Sequence, residues 1–130
     1  MTISSMYPPT TAMNAFSVGV HSTAHNLANV QTNGFKAGRV TYEELPNQAG
    51  TAANGPQKMN TMGSIIPHGP GLPPPENQNP AVPEGYVETS NTDVAREMVN
   101  LTIDSRTYKA NAKTIQTADS MLGTVINMIA

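Results

Sequence analysis

The sequence predicts a mainly α protein. An N-terminal helix and a long C-terminal helix pair as a coiled coil, joined by an irregular Pro/Gly-rich segment with little β structure. Three observations lead there. Residues 91–129 carry an apolar repeat at alternating steps of four and three, and residues 13–30 carry a shorter one with the same steps. Between them, residues 46–87 collect nine prolines and six glycines in 42 positions. Steps of three and four place side chains on one stripe of a helix, while Pro and Gly at that density break both helices and strands.

Residues 1–10 read as a polar tail containing Pro8-Pro9, with Thr10 or Thr11 placed to cap the first helix. The helix stripe is Met13, Phe16, Val20, Thr23, Leu27 and Val30, about 20 residues long. Asn33-Gly34 is expected to end it, because glycine tolerates a left-handed C-terminal turn. The helix and its turn occupy 11–39. Val40, Tyr42 and Leu45 give residues 35–45 a faint extended signal.

Residues 40–89 read as a connector rather than a second domain. Pro73-Pro74-Pro75 favours polyproline II, Gly69-Pro70-Gly71 is a breaker cluster, and Ile65-Ile66 is a short strand or anchor.

The last unit, 90–130, carries the long stripe: Val94, Met98, Leu101, Ser105, Tyr108, Ala112, Ile115, Asp119, Leu122, Ile126 and Ile129. No proline interrupts it, and Gly123 is its one glycine. Ser90 or Asn91 is placed to cap it, and Asp93 and Glu97 suit the positive end of the helix dipole. A helix over these 39 residues is roughly 58 Å long at about 1.5 Å per residue. That is nearly twice its partner, so half of its stripe has nothing to pack on in its own chain and predicts assembly with other subunits. Met98, Met121 and Met128 suit an adaptable packing surface. Ser105 and Asp119 either specify register within the stripe or face solvent where the interface drifts.

Composition excludes most other functions. Net charge is −2, with seven Lys and Arg and nine Asp and Glu, so no basic patch for nucleic acid or a membrane surface is expected. No apolar run is long enough for membrane insertion. With no cysteine, disulfides, zinc–thiolate sites and thiol catalysis are ruled out. The start carries no basic-then-apolar leader. His21 and His25 share a helix face as metal pairs do, but lack a nearby third ligand and read as solvated polar residues. Glu43-Glu44 reads as a surface loop. Neither catalysis, a metal nor a cofactor is expected.

The segment Asn26-Leu27-Ala28-Asn29-Val30-Gln31-Thr32-Asn33-Gly34-Phe35-Lys36 closely resembles the N-terminal motif of the bacterial flagellar rod and hook proteins, and Arg39 continues it. Residues from Ser90 to Asn127 are similar to that family's C-terminal domain, through Asn91, Asp93, Glu97, Arg106, Tyr108, Ala110, Asn111, Lys113, Ile115 and Leu122 among others. Length and Gly85-Tyr86-Val87 look like the short proximal rod proteins, the C-terminal helix more like the hook and distal rod type. The connector lacks the β-rich domains of larger members.

The resemblance implies a structural subunit of the basal-body rod, built into a helical axial assembly with itself and other axial subunits. It also implies passage through the flagellar type III export apparatus without a cleaved signal. A soluble helical export chaperone or regulator with rod-like ends is the alternative.

Overall fold

A computed structural model describes residues 6–69 and 79–129. Helix α1 runs over Tyr7–Ala28 and helix α2 over Val94–Ile129, 36 residues or about 54 Å. Between them lie four strands: β1 (Gly38–Glu44), β2 (Thr51–Lys58), β3 (Ile65–Pro67) and β4 (Tyr86–Glu88). The polyproline run at 73–75 lies outside the described residues, as do the first five residues of the expected tail and Pro70-Gly71 of the breaker cluster.

Helix α1 begins at Tyr7, earlier than a Thr10 or Thr11 cap would place it. Pro8 sits in the first turn, where the N–H it lacks would have no partner anyway. The two threonines lie inside the helix: Thr10 Oγ1 donates to the Met6 carbonyl at 2.8 Å and Thr11 Oγ1 to that of Pro8 at 2.9 Å. The helix ends at Ala28, before Asn33-Gly34, because the Asn29 amide Nδ2 donates back to the His25 carbonyl at 2.9 Å. Gly34, at φ 70°, turns the chain toward β1 instead. At α2, Asp93 is the cap: its Oδ1 accepts from the Arg96 N–H at 3.2 Å, while Ser90 and Asn91 are bonded elsewhere.

The expectation of little β structure holds only loosely, since the segment between the helices forms two small two-stranded sheets. Strands β1 and β2 form an antiparallel hairpin, Gly38 opposite Lys58 and Glu44 opposite Thr51. Its register slips by one residue between Arg39 and Thr41, opposite Gly55-Pro56. A proline without an N–H is accommodated there as a bulge. Strands β3 and β4 pair antiparallel, Ile66 opposite Val87. Val40 and Tyr42 give β1 only a faint alternation, and β2, built of Thr, Ala, Asn, Gly, Pro, Gln and Lys, has none that a sequence reading could detect.

The helices pack side by side and antiparallel, with Gly19 of α1 against Asp104 of α2 and the hairpin on another face of α1. Counting outward from that contact, Tyr7 is level with about residue 116, since 12 residues separate it from Gly19. The remaining 13 residues of α2 continue about 20 Å past the start of α1.

The core is small. Among the described residues its buried apolar members are Ala12, Ala15, Ala37, Val82 and Val87. The chain exposes 8,995 Å², against about 6,600 Å² for a compact monomer of 13.7 kDa.

Candidate assembly interface

The family-like motifs meet at a polar junction. Asn26, 1% exposed at the end of α1, pairs its side-chain amide with the Gly38 backbone as a strand would. Nδ2 donates to the Gly38 carbonyl at 2.8 Å and Oδ1 accepts its N–H at 2.9 Å. Asn91, just before α2, does the same work from the other side. Its Oδ1 accepts the Ala37 N–H at 2.6 Å, and Nδ2 donates to the carbonyls of Met59 and Thr61. Two asparagines from opposite ends of the chain thus hold the dipeptide Ala37-Gly38.

A buried ion pair lies next to them. Lys36 Nζ meets Glu88 Oε1 at 2.5 Å, and that carboxylate also accepts the Gly63 N–H at 2.7 Å. The lysine bond and the Gly63 N–H hold the Glu88 pKa below the ordinary carboxylate value against the opposing effect of burial. Gly63 must be glycine here, because a Cβ would strike the Thr89 carbonyl. In the rest of the motif, Phe35 takes the His25 ring edge-on at 5.4 Å and Thr32 Oγ1 donates to Asn29 Oδ1. Ala28 is exposed.

The seam between the helices is small and polar, not the apolar stripe read from the periodicity. On α1 the buried residues are Ala12, Ala15, Gly19, Thr23 and Asn26. On α2 they are Glu97 and Asp104. Apart from Thr23, each buried residue of either helix stands one position before a predicted one: 12, 15, 19 and 26 instead of 13, 16, 20 and 27, and 97 and 104 instead of 98 and 105. The physical reason is side-chain size: Ala12, Ala15 and Gly19 let the helices approach closely, and the larger apolar side chains one position on stand beside that contact rather than in it.

Met13, Phe16, Val20, Leu27 and Val30 are half-buried, as are Leu101, Ala112, Ile115 and Leu122. Val94, Met98, Tyr108, Ile126 and Ile129 are exposed, Met98 at 59% and Ile129 at 81%. In an antiparallel pair, a displacement of one position in the same sense on both helices falls on the same side of the pair. Met13, Val20 and Leu27 therefore flank the seam on the same side as Val94, Met98 and Leu101. Of the C-terminal motif, Arg106 and Ala110 are exposed, and Asn111 Nδ2 donates to the Thr107 carbonyl at 2.9 Å.

Sequence reasoning missed Tyr42, Asp104 and Gly19, which interlock. The Tyr42 hydroxyl donates to the Asp104 carboxylate, its ring packs on Phe16 at 4.8 Å, and any Cβ on Gly19 would run into both polar groups. Burial, then the Asp104 bond and charge, push the Tyr42 pKa above the tyrosine range; burial also raises that of Asp104, against the Tyr42 hydrogen bond. The available signal was small residues at 12, 15 and 19, at helical spacing, facing acids seven apart.

His21 and His25 are both exposed, and no three His, Asp or Glu residues among those described are grouped to hold a metal ion. No helix among the described residues is long and apolar enough to cross a membrane.

Residues 84–128 match the family model described as flagellar basal body rod FlgEFG protein C-terminal. The chain is 34% identical over 118 residues to the flagellar basal-body rod protein FlgC of Escherichia coli O6:H1, covering 85% of each. It is 37% identical over 95 residues to the flagellar basal-body rod protein FlgG of Buchnera aphidicola from Acyrthosiphon pisum, spanning 71% of this chain but only 35% of that relative. A 44-residue stretch is 43% identical to the flagellar hook protein FlgE of Escherichia coli K12, 34% of this chain and 11% of the other. With its 26–36 motif folded against the segment that the family model covers, the chain belongs to the flagellar basal-body rod and hook protein family.

Proposed function

We propose that this chain is a non-enzymatic structural subunit of the flagellar basal-body rod. It reaches its place through the flagellar type III export apparatus without a cleaved signal. There its terminal helices pack as a coiled coil with one another and with those of itself and other axial subunits. The observation that supports this most is the distribution of large apolar residues. They flank one side of the helix pair and cover the end of α2, where Ile126, Met128 and Ile129 are 65%, 82% and 81% exposed. Apolar surface stabilises by about 25 cal/mol per Å² when buried, so the unburied stripe is a driving force for docking.

The test uses single cysteines at Gln31 and Ser120, both exposed, in a chain that has no cysteine of its own. Cross-linking in intact cells followed by purification of basal bodies should recover the protein there, joined to itself or to other axial subunits. A protein absent from basal bodies and soluble in the cytoplasm would refute the reading in favour of a chaperone or regulator. As a second arm, Leu101→Asp or Ile115→Asp should abolish assembly while export continues.

A further inference from the structure

Helix α2 carries a second stripe, separate from the one that flanks the seam. Val99, Ile103, Ala110, Met121, Val125 and Met128 are all exposed, and Thr107, Thr114 and Thr117 stand between them at the same steps of three and four. None of these nine positions is charged. Val99, Ala110 and Met121 are eleven residues apart, as are Ile103, Thr114 and Val125. Eleven residues make three turns at about 3.6 each, so the stripe keeps to one face of a straight helix. At about 100° per residue, its centre lies roughly 110° from Glu97 and Asp104, which face α1, and roughly 170° from Val94, Met98 and Leu101.

The hydroxyls of this stripe are satisfied within the helix. Thr107 Oγ1 donates to the Ile103 carbonyl at 2.9 Å, Thr114 Oγ1 to that of Ala110 at 3.1 Å and Thr117 Oγ1 to that of Lys113 at 2.9 Å. Water can leave the face without orphaning a donor, and its small middle permits close approach.

Charge decides what covers it. Arg106, Lys109 and Lys113, all exposed, line one rim of the stripe. In a two-fold antiparallel pair of stripes like rims meet, which sets these cations against their own copies. Helix α1, in contrast, contains no Asp, Glu, Lys or Arg, so a cationic rim meets no like charge there. On the flank of the helix pair, Met13, Val20 and Leu27 stand across a groove from Met98 and Leu101. A third helix with a small, uncharged stripe fits a groove of this kind and touches both of its walls.

We infer that the Val99–Met128 stripe of one copy docks into the groove between α1 and α2 of a second copy. The inference rests on the rod-subunit reading for why copies meet, and adds the two surfaces and the polarity of their contact. Stripe and groove lie on opposite sides of α2, so each copy gives on one side and receives on the other. Such a contact propagates into an open helical array unless its rotation closes a ring. From Val94 to Ile115 the groove runs about 32 Å; with a helix width of about 10 Å, one contact covers roughly 300 Å² per copy, well under the about 800 Å² of a standard interface. A lone contact is therefore weak, and a copy is held firmly only when engaged on both sides.

The test is sedimentation of the purified full chain at concentrations up to about 1 mM, where a contact this small is populated. The mean mass of the unaltered chain should rise with concentration past that of a dimer. Ala110→Lys blocks the stripe and Met98→Lys blocks the groove, both at exposed positions. Each alone should weaken association about tenfold or more. An equal mixture retains one sound stripe and one sound groove, so it should form dimers and nothing larger, and that rescue shows that neither substitution unfolds the chain.

An unaltered chain that stays monomeric, association that survives either substitution alone, or a mixture no different from its components would each overturn the inference. Recovery of the protein from basal bodies is read separately, so failure of the rod reading and failure of this contact are distinguishable.

Discussion

The two ends of α2 are held in opposite ways. At its start, the chain is fixed by directed bonds: Asn26 and Asn91 on Ala37-Gly38, Lys36 on Glu88, Tyr42 on Asp104. Small residues let the helices approach there, and few large apolar side chains take part. At its far end, α2 runs about 13 residues beyond α1 and presents Val125, Ile126, Met128 and Ile129 to solvent. A polar network specifies one geometry and tolerates no missing member, whereas an apolar stripe is indifferent to the identity of what covers it. On the rod-subunit reading proposed above, such a chain has its own fold at one end and is completed by neighbours at the other.

That contrast can be broken first at the junction. Asn26→Ala leaves the half-buried Gly38 N–H without its partner, while the carbonyl keeps the Ser22 hydroxyl at 3.4 Å. At 1–3 kcal/mol per orphaned group, the loss should be about 3 kcal/mol at most, read as a lowered midpoint in denaturant unfolding.

Lys36→Met should cost somewhat less, about 2 kcal/mol at neutral pH, because the lysine side chain is 22% exposed and Glu88 keeps the Gly63 N–H. Its pH signature is more telling. The folded pKa of Glu88 is depressed below its ordinary 4.5, so the stability it contributes is fully present above that value. The contribution is lost as pH falls through the lower folded value. Unfolding followed from pH 7 to 2 should lose part of its acid limb in Lys36→Met; an unchanged limb would disconnect Glu88 from the fold.

Asp104 works in the opposite sense. Its folded pKa is raised above the ordinary 3.8, so its contribution is fully present below that value and is lost as pH rises through the folded one. Asp104→Asn should therefore stabilise the free chain at pH 7 and have no effect in strong acid. If the same variant assembles poorly, the carboxylate is kept for contact rather than for stability.

The smallest effect on the free chain belongs to the far end. Ile126→Asp or Ile129→Asp should shift unfolding by no more than about 0.5 kcal/mol, as exposed positions do, yet prevent incorporation into basal bodies.

Much of this was legible in the sequence for physical reasons. The long helix follows from an uninterrupted three-four repeat, and its surplus length from simple counting. The resemblance picked out Asn26, Lys36 and Asn91, but not that the fold brings them together at the junction of the two ends. The face of the seam was not legible, because the stripe was read by hydrophobicity alone. Ala12, Ala15 and Gly19 carry little hydrophobic signal yet set how closely two helices can approach. The hairpin was hidden for a related reason: strands that pack one helix with Thr and Ala look like loop. Tyr42 and Asp104, 62 positions apart in the sequence, are joined only by the fold.

Hydrogen exchange read by mass spectrometry, on the free chain and on purified basal bodies, tests the division of α2 most directly. In the free chain, amides of residues 97–108 should be protected together with those around Gly38, and amides of 117–129 should exchange rapidly, since a short helix without a partner is marginal in water. In basal bodies the distal amides should become as slow as the proximal ones. Equal protection along the whole of α2 in the free chain, or a distal segment that stays fast after assembly, would contradict a subunit that folds at one end and is completed by its neighbours at the other.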